Sequence, residues 1–211
     1  MNVSRHYIFL FMVIASCAAI AKSSLNSTYE SAIERAARAV SGHERSKRLR
    51  ALLRDSVDSW EKNPAFAEAR ETAAELPKVS RQIKIEAGNV NSGNYSVMWF
   101  VETDGKVIML TNAFSPKKVK QGEVRYEDWD RLVSEFSALK VGDVCGSAMG
   151  VSDGTGYFGI FSSHGEVKTF AVYGAVPFPR IPGDMLYRQL APCSEIILKA
   201  HEIARSVIAP G

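Results

Sequence analysis

From residue 27 to residue 76 apolar residues recur every three or four positions, the spacing of amphipathic helices. Tyr29, Ile33, Ala36, Ala37 and Val40 share one stripe, which stops at Ser41-Gly42, a helix-ending signal. Leu49, Leu52, Leu53, Val57 and Trp60 form a second stripe. A third helix opens at Asn63-Pro64, a capping side chain followed by the proline that suits a first helical position, and runs to Leu76 before Pro77. Its apolar face, Phe66, Ala69, Ala73 and Leu76, is narrow and rich in alanine. Such a face implies close packing on another helix or on a sheet.

After Pro77 the period falls to two. Ile83, Ile85 and Ala87 alternate with polar residues in a short strand. Tyr95 to Thr103 and Lys106 to Asn112 form a hairpin around Asp104-Gly105, a pair that tolerates the positive φ angles of a tight turn. Apolar residues stand on both faces of this hairpin, so both faces must be covered, in part by the N-terminal helices. Ala113 to Arg125 reads as a basic loop. Trp129, Leu132, Val133, Phe136 and Leu139 mark a central helix that ends at Lys140 and Gly142. A second trio of strands follows, Cys145 to Val151, Tyr157 to Phe161 and Val167 to Tyr173, with turns at Asp153-Gly154 and His164-Gly165. Beyond Pro177, Pro179 and Pro182, a last stripe of Leu186, Leu190, Cys193, Ile197, Ala200, Ala204 and Val207 is helical. Pro192 is expected to split it into a short helix and a longer one.

The expected architecture is α+β. An antiparallel sheet of about six strands, in two meanders at roughly 82–112 and 144–174, is packed by N-terminal helices, one central helix and a C-terminal helix. The domain would span residues 22–211, with a helical region 27–76 and a sheet-containing region 77–211.

Residues 1–21 have the three parts of an export signal: Arg5, the apolar run Tyr7 to Ala15, and Ala19-Ile20-Ala21 before a cut at Lys22. A second cut competes, because Ile14-Ala15-Ser16-Cys17 resembles a bacterial lipobox, whose cysteine would be lipidated. Either route leads out of the cytoplasm, to the periplasm or the medium, or to the outer membrane as a lipoprotein. Outside the cytoplasm the remaining cysteines, Cys145 and Cys193, are expected to pair, clamping the last helix to the sheet. A loop of that length corresponds to about 4 kcal/mol in the chain-entropy description.

The 26 basic and 23 acidic residues give a formal charge of +3, which falls to +2 when Arg5 leaves with the signal. That balance, together with export, argues against a nucleic-acid partner. Charge is nonetheless uneven: Arg45, Lys47, Arg48, Arg50 and Arg54 crowd one stretch of the second helix, against Glu44 alone. This stretch is a candidate patch for anionic lipid, with membrane-surface contact if the chain is lipidated, for a polyanionic glycan or for an acidic partner protein; the other reading is a solvated helix face balanced by Asp55, Asp58 and Glu61.

Catalytic patterns are sparse. No G-x-S-x-G elbow is present. Ser163 and His164 are neighbours, and neighbours on a strand point to opposite faces, which argues against a working pair. Glu123, Glu127, Asp128, Asp130, Asp143 and Asp153 gather near the expected strand ends, where a carboxylate pair would suit a hydrolase. No phosphate loop, calcium loop or zinc set is spelled out, and no metal or cofactor is expected. The reading leans away from an enzyme. It favours a small exported binding protein, of inhibitor or immunity type, acting on a toxin or a wall-degrading enzyme, with a protein partner in the envelope or outside the cell. Its candidate contact residues are Asn91, Asn94, Lys117, Lys118, Lys120, Asp153 and His164, all in expected loops or turns. The alternatives are an envelope hydrolase using a carboxylate pair and a lipid-anchored assembly factor.

Overall fold

The computed structural model describes residues 27–40, 42–77, 79–89, 94–113, 118–139, 155–174 and 185–208. Its chain divides into two compact units, Met1–Ser31 and Ala32–Gly211, and the second builds the fold. The export signal, Cys17 and Cys145 lie outside the described residues.

Helix α1 covers residues 27–39, α2 His43–Glu61 and α3 Pro64–Ala74. The strands and later helices follow as β1 Val79–Asn89, β2 Asn94–Thr103, β3 Lys106–Thr111, β4 Lys120–Val124, α4 Tyr126–Ala138, β5 Thr155–Ser163, β6 Glu166–Gly174 and α5 Met185–Ile208. The strands form one antiparallel sheet of six in the order β4-β3-β2-β1-β5-β6, an α+β architecture as expected. β1 lies inside the sheet because α4 carries the chain back to add β5 and β6 on its other side. Both hairpin turns hold two successive left-handed residues, Asp104 (φ 47°) with Gly105 (φ 75°) and His164 (φ 47°) with Gly165 (φ 86°). These are turns whose twist matches that of the strands they join.

Two expectations change. The basic loop at 113–125 contains β4, an edge strand in which only Val124 is buried. With Lys120, Gln121 and Glu123 facing water it has no apolar alternation, and charges along an edge discourage pairing with other chains. The helix at Pro192 is not split: α5 runs through it from Met185 to Ile208. One lost backbone hydrogen bond is outweighed here by packing, because Cys193, Ile196, Ile197 and Ala200 just beyond it are fully buried. The strand expected at 145–151 lies outside the described residues.

Pleating assigns the two faces. On one, Ile83, Ile85, Met98, Phe100, Val107, Met109, Phe161, Phe170 and Val172 pack against Trp129, Leu132 and Phe136 of α4 and against the buried stripe of α5. The Phe136 ring sits 5.4 Å from that of Phe170 and 5.8 Å from that of Phe161. Gly159, opposite Phe170 on the neighbouring strand, leaves the space that the Phe170 ring fills. The other face lies under the N-terminal helices. There the Trp60 indole of α2 rests directly on Gly88 of β1, meeting Phe158 edge-on at 5.1 Å and Tyr95 at 5.9 Å. Ser56, one turn earlier, rests on Gly156 of β5.

Where β3 ends, Asn112 replaces the strand. Its buried amide accepts from the Val97 backbone N–H (2.8 Å) and donates to the Tyr95 carbonyl (3.0 Å), so β2 keeps its bonds as the chain departs.

A Cβ at Gly88 would overlap the Trp60 indole, whereas one at Gly105 would meet nothing within 4 Å. Gly88→Ala is therefore expected to destabilise the fold by about 3 kcal/mol through overpacking. Gly105→Ala should cost about 1 kcal/mol, through its left-handed backbone alone. Urea denaturation of both variants checks the order.

Candidate functional site

Two groups of polar side chains stand out. The first lies beneath the N-terminal helices, along β1. Gln82, Lys84, Glu86 and Gly88 alternate onto the face that α2 covers, and Lys84 pairs across the sheet with Trp99 on one side and Ile160 on the other. The Lys84 ammonium lies 3.2 Å from a Glu86 oxygen, with both side chains almost wholly buried. Tyr95 Oη donates to the second Glu86 oxygen at 2.9 Å. The same ammonium sits 5.0 Å from the centre of the Trp99 ring, and Trp99 Nε1 donates to Gln82 Oε1 at 2.8 Å. The chain thus reaches from the buried Glu86 to the half-buried Gln82 and Trp99 near the surface.

In the sequence Lys84 and Glu86 stand only as polar residues alternating with Ile83, Ile85 and Ala87. Period two assigns a residue to a face but does not tell whether that face is dry. The available signal was Gly88 in the same register, a strand glycine that marks close approach by another element.

The second group closes the turn end of the opposite face. One cross-strand row holds Glu102 of β2, Arg81 of β1 and Ser163 of β5. Arg81 grips Glu102 with two hydrogen bonds, 2.6 and 2.9 Å, and Ser80 Oγ donates to the same carboxylate at 2.9 Å. The guanidinium lies 5.6 Å from the centre of the Trp129 ring and 3.8 Å from Asp130. Its hydrogen bonds hold the Glu102 carboxyl below its ordinary pKa, against the opposing pull of burial, with Ser80 adding to the effect. The Arg81 guanidinium is held correspondingly more strongly as the cation, chiefly by Glu102.

Ser163 and His164 correct the expectation that they point apart: Ser163 Oγ lies 2.9 Å from His164 Nδ1. The alternation rule fails because His164 is not on the strand but in the left-handed turn. Glu102, the carboxylate electrostatically coupled to His164, is already committed to Arg81 and Ser80. His201 is elsewhere, half-buried on α5, where burial and then Arg205 lower its pKa.

The proposed contact residues divide between the two ends of the sheet. Asn94 opens β2 opposite Asn89, Lys120 opens β4 opposite Thr111, and exposed Lys118 precedes it, all at one end. His164 is at the other end, with the Asp104-Gly105 turn. Asn91, Lys117 and Asp153 lie outside the described residues. The candidate acids are also dispersed: Glu123 faces Lys106 at 3.6 Å, Asp128 faces Arg125 at 2.8 Å and Asp130 faces Arg81. Asp143 lies outside the described residues, and Glu127 is exposed in the first turn of α4.

The basic stretch of α2 separates in the same way. Arg50 is bidentate on Glu34 of α1, at 2.9 and 3.1 Å, and Arg54 reaches it at 3.5 Å, while Arg45, Lys47 and Arg48 are exposed. The Arg50 hydrogen bonds lower the Glu34 pKa, with the charges of Arg50, Arg54 and Arg38 adding to them against a smaller effect of burial.

Among the described residues, no set of three or more His, Cys, Asp and Glu side chains could hold a metal ion, and no helix is long and apolar enough to cross a membrane.

Lys84→Met leaves the Glu86 charge buried without its ammonium and is expected to destabilise by about 3–5 kcal/mol. Adding Glu86→Leu should recover most of that loss, because removing both charges also removes their desolvation penalty. Thermal and urea unfolding of the single and double variants measure it; a double variant worse than the single would contradict this account.

Comparison with known proteins adds no kinship: no family model matches the chain, and no curated protein matches it in sequence.

Proposed function

We propose that this is an exported binding protein that recognises an acidic surface on a protein partner through the strand end carrying Asn94, Lys118 and Lys120. The carrying observation is how firmly that end is built. Helices cover both faces of the sheet, and the segment around Lys118 is anchored at each side. Before it, the Asn112 amide is locked to β2; after it, the Val119 backbone N–H donates to Glu68 of α3 at 3.3 Å. A basic segment on so fixed a base loses little conformational entropy on binding. Within this class an inhibitor or immunity-type protein, directed at a toxin or a wall-degrading enzyme, suits the export signal at residues 1–21 and the modest size of the chain.

The chain from Lys22, tagged at its C-terminus, tests this in a pull-down from envelope and secreted fractions. A stoichiometric partner is expected, and Lys118→Glu with Lys120→Glu should reduce its retention by at least about tenfold, since like charges across an interface cost several kcal/mol. His164→Ala should leave retention intact. A partner held equally by the charge-reversed variant would move the contact elsewhere, and absence of any partner would defeat the reading.

The clamp between Cys145 and Cys193 belongs to the same proposal. Cys193 is fully buried on the face of α5 that meets the sheet, where a tether would hold this helix in place. The chain from Lys22, which lacks Cys17, is expected to take up no maleimide when unfolded but unreduced, and two equivalents when reduced. Uptake before reduction would refute the bridge.

A further inference from the structure

Helix α2 carries its charges in the reverse of the order its own dipole prefers. Anions are stabilised at the N-terminal end of a helix and cations at the C-terminal end. Here Arg45, Lys47, Arg48 and Arg50 crowd the first turns against Glu44 alone, and Asp55, Asp58 and Glu61 outnumber Arg54 in the second half. The N-cap is Gly42, which supplies no capping side chain, and the last turn holds no basic residue.

Internal pairing offsets only part of this arrangement. Arg50 and Arg54 are held by Glu34. Among the described residues, no carboxylate lies within salt-bridge distance of Arg45, Lys47 or Arg48, or of Arg38 on α1. All four are exposed. They also lie close together, because Ser46 Oγ donates to the Ala37 carbonyl at 2.8 Å and fixes the first turn of α2 against the end of α1. Arg45 and Lys47 flank that contact on one helix and Arg38 flanks it on the other.

We propose that this corner of α1 and α2 is a docking surface for an anionic lipid bilayer. Flexible cations spread over two helix ends suit a plane of phosphate headgroups better than a single enclosed ligand. The exposed apolar neighbours, Ala39 and Ala51, are too small to insert, so the surface adsorbs without penetrating. If residues 1–21 act as the export signal they resemble, the same chain would pass a membrane, and lipidation at Cys17 would hold it there. Each cation near such a surface strengthens partitioning by about fivefold. The surface is separate from the Lys118 and Lys120 end, and neither proposal rests on the other.

The test compares binding of the purified full chain to phosphatidylcholine vesicles with and without about one third phosphatidylglycerol, at low salt. The ratio of the two isolates the electrostatic contribution from any effect of the apolar N-terminal run. A ratio on the order of several hundred is expected from four such cations, collapsing toward one at high salt and falling to about five in Arg45→Gln/Lys47→Gln/Arg48→Gln, where Arg38 remains. That variant spares Arg50 and Arg54, which tie α2 to α1, and an unchanged melting temperature shows it folded. Arg125→Gln, which removes an exposed cation from the start of α4, should leave the ratio within about fivefold of the original. The proposal is overturned by a wild-type ratio near one, by a ratio the triple variant leaves unchanged, or by an Arg125→Gln effect as large as that of the triple variant.

Discussion

The contact between the Trp60 indole and Gly88 sets how the N-terminal helices can sit. An indole can approach a strand backbone this closely only where the Cβ is missing, and Gly156 on the neighbouring strand admits Ser56 by the same means. With α2 this close, Tyr95 and Phe158 close around the indole and the sheet beneath becomes dry. Drying the sheet imposes a condition on β1, whose residues on this face are largely polar. Lys84 and Glu86 can be covered because each supplies the other's counter-charge and Tyr95 donates to the carboxylate. The close approach and the buried pair are thus two consequences of one register.

Much of this could be read from the chain, and the remainder was hidden for definable reasons. The helices carrying Trp60 and Phe66, the Asp104-Gly105 and His164-Gly165 turns, and the amphipathic α4 follow from local periodicity and turn chemistry, and they stand as expected. β4 escaped because an edge strand that buries only Val124 carries no alternation to detect. The buried state of Lys84 and Glu86 escaped because burial is a property of whatever covers a face. The Ser163–His164 contact escaped because one residue of the pair had left the strand. In each case local periodicity was read correctly, and the deciding fact was tertiary.

The candidate site shows the same division. Asn94, Lys118, Lys120 and His164 were expected in loops or turns; Asn94 and Lys120 instead open strands, and only strand order tells which end each residue occupies. Antiparallel pairing of β1 with both β2 and β5 sends the two hairpin tips to the same end and the lysines to the other. Likewise five basic residues within ten positions of α2 looked equivalent in the sequence. Glu34, one helix earlier, separates Arg50 and Arg54, which hold the fold, from Arg45, Lys47 and Arg48, which do not.

That separation bears on which surfaces of this chain are left open to contact. Both faces of its sheet are occupied by helices. Charged residues line edge strand β4, and on β6 the Arg35 guanidinium donates to the Thr169 carbonyl and hydroxyl, engaging part of the second edge. What remains for recognition is the strand ends and the outward sides of the helices. At one strand end the connections are two-residue turns that leave little surface to vary. At the other, Asn112 and Glu68 fix the base of a longer basic segment. A fold that uses its faces and edges for its own stability leaves its corners exposed, and among the described residues Arg45, Lys47, Arg48, Lys118 and Lys120 stand at such corners.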